Sequence, residues 1–235
     1  MSLINSILSV FKPKEIYFKE KYHEVGDVYT FIFEVDSQQS WKAGQHGIFT
    51  IVHKKINRPT RAFSIASIPS EGYIKITTRI GKEPSEFKQA LLLLEPGMKV
   101  TMRGPVGAFY TPNNKPKLFI AGGIGITPYR AIFHDMLLND EEAFNDSQLL
   151  YMDTKGEFIY NKELNKLVEL NLLSIIYTKD RVIRNEKIKA LIDKHQEDAL
   201  FYIVGSKSMV KEVEKYLIKN GITKKNIKRD VFLGF

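Results

Sequence analysis

The 235 residues carry a net charge of +8, with 43% hydrophobic and 26% charged side chains. That length buries one large domain or two compact ones, and the composition excludes a disordered chain. No run approaches the ~20 apolar residues of a membrane span, and the absence of cysteine removes disulfides, thiolate metal sites, cysteine-held iron–sulfur clusters and cysteine nucleophiles together.

Any redox chemistry therefore needs a bound organic cofactor. His23, His46, His53, His134 and His195 show no ligand spacing, so no metal is expected. Residues 1–12 hold an apolar stripe, Leu3, Ile4, Ile7, Leu8 and Phe11, at helical spacing without a basic leader or cleavage site. A docked helix is expected there, with peripheral membrane association as the alternative, and the expected location is cytoplasmic.

The first half reads as β. KEIYFKEKYH, DVYTFIFEV, HGIFTIVH, RAFSIAS and YIKITTRI are short β-branched and aromatic runs separated by EVGD, KAGQ and SEG, the pattern of a small antiparallel barrel. SEFKQALLLL is expected as its one helix, with Gly81 upstream and Ser85 as N-cap, and MKVTMRGP as a further strand. Within RAFS, alternation sends Arg61 and Phe63 to one face and Ser64 to the other. A donor fork, an apolar plate and a hydroxyl thus share one strand end.

TPNNKPK, residues 111–117, is the Pro/Asn-rich joint. Beyond it KLFIAGG, LLYMD, LLSIIYT and ALFYIVG alternate with the helical runs PYRAIFHDMLL, NKELNKLVEL, RNEKIKALIDK and SKSMVKEVEKYLIKNG. Strand–helix alternation implies a Rossmann-like parallel sheet. The expected organisation is two domains, an antiparallel β-barrel over 1–112 and an α/β domain over 113–235. AGGIGITP opens a helix after an apolar strand. Gly122, Gly123 and Gly125 let the backbone approach a ligand, Pro128 suits the first helical turn, and a pyrophosphate fits such a start. Asp153 follows the second strand of this half, where a carboxylate favours a ribose 2′-hydroxyl and repels a 2′-phosphate. Lys155 and Arg181 oppose it.

These stretches, in order and at compatible spacings, resemble the ferredoxin–NADP(+) reductase family from about Tyr17 to Phe235. WKAGQHGIF is similar to its PGQ strand, RAFS to its flavin motif Arg-x-Tyr-Ser, and GKEPS to its FAD phosphate loop. GPVGAF is similar to the end of its barrel and AGGIGITP to its nicotinamide-nucleotide loop. VGSKSMV is similar to CGPxxMV, and KRDVFLGF to the terminal ExFxGY. The resemblance implies FAD held by Arg61, Phe63, Ser64, Ile65, Ala66, Gly81 and Ser85. It implies a nicotinamide nucleotide held by Gly122, Gly123, Gly125, Thr127, Pro128, Asp153, Gly205 and Met209, with NADH weakly preferred over NADPH through the Asp153 carboxylate.

By the same resemblance Arg61 grips the FAD pyrophosphate, Phe63 lies against the isoalloxazine, and Ser64 approaches the flavin N5 edge. Ser64, Asp230 and Phe235 are the implied catalytic group. Phe63 stands where tyrosine is usual, Val204 where cysteine is, Asp230 where glutamate is, and Phe235 where the terminal tyrosine is. The implied activity is hydride transfer from NAD(P)H to FAD, with electrons passed to a separate acceptor protein. An acidic ferredoxin- or flavodoxin-type carrier, or a partner oxygenase or reductase, is expected to dock on Lys54, Lys55 and Arg58. A stand-alone flavin or quinone reductase and a non-catalytic nucleotide-binding subunit are the alternatives. Nucleic acid is not expected as a partner.

Overall fold

The computed structural model describes residues 12–36, 39–107, 109–139, 141–195 and 198–232. The apolar stripe from Leu3 to Phe11 and the terminal Phe235 lie outside the described residues. The chain divides into two compact units, one ending at Tyr110 and the other beginning at Thr111.

The first unit is an antiparallel sheet of β1 (Lys14–Val25), β2 (Val28–Glu34), β3 (His46–Ile51), β4 (Thr60–Ser64), β5 (Tyr73–Arg79) and β6 (Lys99–Val106), in the order β4-β3-β6-β1-β2-β5. A period of two sends Ile16 and Phe18, Phe31 and Phe33, Phe49 and Ile51, Ile74 and Ile76, and Val100 and Met102 into one core. Among the described residues of this unit one α-helix, α1 (Glu86–Leu92), adds Phe87, Ala90 and Leu91 to that core. The outermost strands, β4 and β5, are joined just past Ser64. There the Ala66 amide donates to the Lys75 carbonyl at 2.8 Å and the Lys75 amide to Ser67 Oγ at 2.9 Å. The buried Trp41 indole fixes the same stretch by donating to the Ser67 carbonyl at 2.7 Å. These bonds curl the sheet into a barrel, and the seam lies beside the RAFS strand.

The second unit alternates β7 (Lys117–Gly122), α2 (Thr127–Asn139), β8 (Ser147–Met152), α3 (Asn161–Glu169), β9 (Ser174–Thr178), α4 (Arg181–His195), β10 (Leu200–Ser206), α5 (Lys207–Lys219) and β11 (Ile227–Phe232). All five strands are parallel, in the order β11-β10-β7-β8-β9. Alternate strand residues face opposite layers. Leu118, Ile120, Leu150, Phe201 and Ile203 pack with Ile188 and Leu191 of α4 and with Val210, Val213 and Leu217 of α5. Phe119 meets Tyr129 and Phe133 of α2 and stacks on Tyr202 of β10, with ring centroids 4.9–5.2 Å from its own. Helices therefore cover both faces, which is why these strands read as continuous apolar runs. An antiparallel barrel followed by a parallel α/β sheet is the expected fold class. The strand β11 was not expected from the sequence.

Candidate functional site

Strand β4 brings Arg61, Phe63 and Ser64 to the barrel seam. Arg61 and Phe63 share a face, as alternation requires, because both meet Phe87. The guanidinium lies 5.7 Å from the Phe87 ring centroid, and the Phe63 ring is also 5.7 Å away. Arg61 Nη1 donates to the carbonyls of Arg58 (3.1 Å) and Thr60 (2.8 Å), which orients the fork. Nε and Nη2 keep no protein partner among the described residues, so the fork is poised for an external anion. Phe63 is half-buried, its inner edge on Phe49 and Phe87. Ser64 is buried, and its Oγ has no hydrogen-bond partner among the described residues. A matched hydroxyl would be the rule in a core, so this atom points to a ligand.

Ile65 and Ala66 are fully buried, and their amides donate to the carbonyls of Gln45 (2.9 Å) and Lys75 (2.8 Å). They hold Ser64 in place and have no N–H left for a ligand. Gly81 is exposed beyond β5, its missing Cβ 3.9 Å from Asp27 Oδ2. Ser85 caps α1, its Oγ accepting the Lys88 amide at 3.5 Å. Lys88 itself escaped the sequence reading. It is half-buried on α1, and burial lowers its ammonium pKa, with Asp27 opposing and Arg61 reinforcing the shift. A donor fork, an aromatic face and an unmatched hydroxyl on one strand fit the pyrophosphate, ring and polar edge of FAD.

In the second unit the strand order reverses between β7 and β10, since the chain runs outward through β8 and β9 before returning. Crevices at such switch points, at the carboxyl ends of strands, receive nucleotides. The glycines cluster there. A Cβ on Gly125 would lie 2.4 Å from the Val204 carbonyl oxygen, so only glycine lets this turn cross β10. Gly122 and Gly205 flank Met209, whose Sδ lies 3.0 and 2.8 Å from their missing Cβ positions. Thr127 and Pro128 begin α2 and are buried, so they build the helix start instead of lining a surface. The backbone cradle fits a nucleotide pyrophosphate.

Asp153 is 5% exposed, and its Oδ1 accepts the amides of Lys155 (2.8 Å) and Glu157 (3.2 Å). One oxygen therefore shapes the loop after β8, while Oδ2 lies 3.5 Å from the missing Cβ of Gly123 and faces the glycine turn. Arg181, by contrast, is 75% exposed and 3.8 Å from Glu212. Asp230 pairs in register with Val204. Its charge adds to burial in pushing the Tyr129 phenol well above its usual pKa. Phe235 lies outside the described residues. Among the described residues no helix is long and apolar enough to cross a membrane.

The two halves match different family models. Residues 15–110 match the oxidoreductase FAD-binding domain and residues 119–215 the oxidoreductase NAD-binding domain. The chain is 27% identical over 86% of its length to the F subunit of the Na(+)-translocating NADH-quinone reductase of Marinomonas sp. (strain MWYL1), of which it spans 56%. It thus covers just over half of the curated relatives it matches. Its fold is similar to the ferredoxin-NADP+ reductase from Plasmodium falciparum, with a TM-score of 0.80 and 19% identity over 94% of this chain and 96% of that one. It is equally similar to a ferredoxin NADP+ reductase from Neisseria gonorrhoeae with bound FAD and NADP, with a TM-score of 0.80 and 17% identity over 94% and 98%. With an FAD-binding barrel and a NAD-binding α/β domain matched in order, the chain belongs to the ferredoxin–NADP(+) reductase-like family of FAD- and NAD-binding oxidoreductases.

Proposed function

We propose that the protein is an electron-transfer flavoprotein that takes a hydride from NADH onto bound FAD and delivers electrons to a separate acceptor protein. The observation that carries this reading is the buried, unmatched hydroxyl of Ser64 on the strand that also presents Arg61 and Phe63. When bound, FAD supplies the step from two-electron to one-electron chemistry. The chain supplies positioning. Arg61 would hold the pyrophosphate through Nε and Nη2, Phe63 would back the ring, and Ser64 Oγ would donate to the flavin's polar edge. The backbone around Gly122, Gly123, Gly125 and Gly205 receives the nicotinamide nucleotide. Asp230 is assigned to a proton relay.

NADH is the proposed reductant on two grounds. The Asp153 carboxylate faces the glycine turn, where it disfavours a second phosphate, and the curated relatives are components of NADH-quinone reductases. Those relatives are subunits of an assembly, which supports delivery to a protein partner. The proposed docking surface is the loop between β3 and β4, where Lys54, Lys55 and Arg58 are exposed. Glu86 anchors this loop by accepting the Asn57 amide at 2.9 Å. An acidic carrier or redox subunit complements that charge.

The test is an anaerobic titration of the flavin-loaded protein with NADH and NADPH, followed through the visible flavin absorption. Bleaching by stoichiometric NADH, at least ten times faster than by NADPH, is the expected result. A protein that binds no FAD, or whose flavin neither nucleotide reduces, refutes the reading. Faster bleaching by NADPH would overturn only the role given to Asp153.

A further inference from the structure

We infer that the lysine-bearing face of α5 docks on a membrane surface that carries anionic lipid. The inference goes beyond the flavin reading and does not depend on it. Lys207, Lys211, Lys215 and Lys219 recur at every fourth position of α5, and all are exposed. Side chains at that spacing share one face, so the row runs the length of the helix, ~18 Å at about 1.5 Å per residue. The turn that follows, Lys224–Asn226, exposes Lys224 and Lys225 as well.

The carboxylates of α5 do not neutralise this row, because arginines engage both. Glu212 is held by Arg184 at 2.6 Å and Glu214 by Arg229 at 2.6 Å. None of the six lysines makes a side-chain ion pair or hydrogen bond among the described residues. Like charges four residues apart weaken a helix, and the helix dipole favours a cation only in the last turn, at Lys219. The row therefore works against the helix that carries it, and an external anionic surface reverses that effect. Two features favour lipid over an acidic protein. The cations left without a partner on this helix are all lysines, whereas protein interfaces are depleted in lysine and enriched in arginine, whose planar fork matches a single carboxylate. Point charges on flexible stems suit a field of headgroups, which has no fixed geometry to match. Ile218, 41% exposed and three residues from Lys215, sets an apolar side chain beside the row. The boundary between headgroups and acyl chains receives that combination.

The experiment sediments the full chain with vesicles of phosphatidylcholine alone and with vesicles containing about a third phosphatidylserine. It compares the native protein with the triple variants Lys211→Gln, Lys215→Gln, Lys219→Gln and Lys211→Arg, Lys215→Arg, Lys219→Arg. Both replacements are good helix formers, and urea unfolding checks that each variant folds. The native protein is expected to bind the anionic vesicles only, and to be released as salt rises from about 0.1 M to about 0.5 M. The glutamine variant is expected to bind about a hundredfold more weakly, roughly fivefold for each lysine. The arginine variant is expected to stay within about threefold of native. A native protein that ignores the anionic vesicles overturns the inference, and retention on poly-glutamate would then mark the face as a site for an acidic protein. A glutamine variant within twofold of native also overturns it, since binding would lie elsewhere in the chain. An arginine variant as weak as the glutamine one does the same, because charge would not be the cause.

Discussion

A buried hydroxyl without a partner costs a folded protein about 1–3 kcal/mol, and Ser64 carries that cost in the described fold. Removing the group should therefore help the empty protein while harming the loaded one. Ser64→Ala is expected to raise apoprotein stability by about 1 kcal/mol in urea unfolding. It should also slow flavin reduction by NADH about tenfold or more in stopped-flow absorption. A loss of stability with an unchanged rate would make Ser64 an ordinary core residue. The grouping of Arg61, Phe63 and Ser64 was legible in the sequence because it rests on strand alternation alone. Asp153 was legible only as a carboxylate after a strand. That one of its oxygens turns back onto the amides of Lys155 and Glu157 depends on a loop conformation that no spacing encodes.

Among the elements, α4 and α5 are locked by a pair that the sequence did not announce. Arg184 on α4 is 1% exposed and donates through Nη2 to Glu212 on α5 at 2.6 Å, while its Nε donates to Asn185 at 3.0 Å. The Arg184 hydrogen bond is the main reason the Glu212 pKa falls below its ordinary 4.5. A carboxylate pKa depressed by folding adds stability above its unfolded value, and that stability is lost as pH falls through the folded value. Glu212→Gln is therefore expected to lower stability at pH 7 by about 1–2 kcal/mol. That is less than for a fully buried pair, because Glu212 is 43% exposed and screened by water. The difference from the native protein should shrink as pH falls below the ordinary carboxylate range and through the lowered folded value. Melting curves at pH 7 and pH 3.5 check this, and a pH-independent difference would refute it. The strand β11 was missed because its exposed Lys228 and Arg229 break the apolar run expected of a strand in a covered parallel sheet. Among the described residues it lies at the sheet edge, paired with β10 alone.

For the whole molecule, the change from barrel to α/β sheet was readable because the hydrophobic period changes at the Pro/Asn-rich joint. The barrel's closure was not, since the bonds joining β4 to β5 are set by register and not by composition. That seam has a thermodynamic consequence. The strand that presents Arg61, Phe63 and Ser64 is also an edge at which the barrel closes, so a ligand bound there prefers the closed sheet over the unfolded chain. Linkage then stabilises the barrel by RT ln(1 + [FAD]/Kd), about 2.7 kcal/mol at a hundredfold excess over Kd. Differential scanning calorimetry should find FAD raising the melting of the barrel, while NAD+ alone acts on the α/β unit. Equal shifts of both by either ligand would mean that the two units unfold as one. If they melt separately, losing flavin and opening the barrel become a single event, and a cell short of flavin would hold this protein as a chain half folded and open to proteolysis.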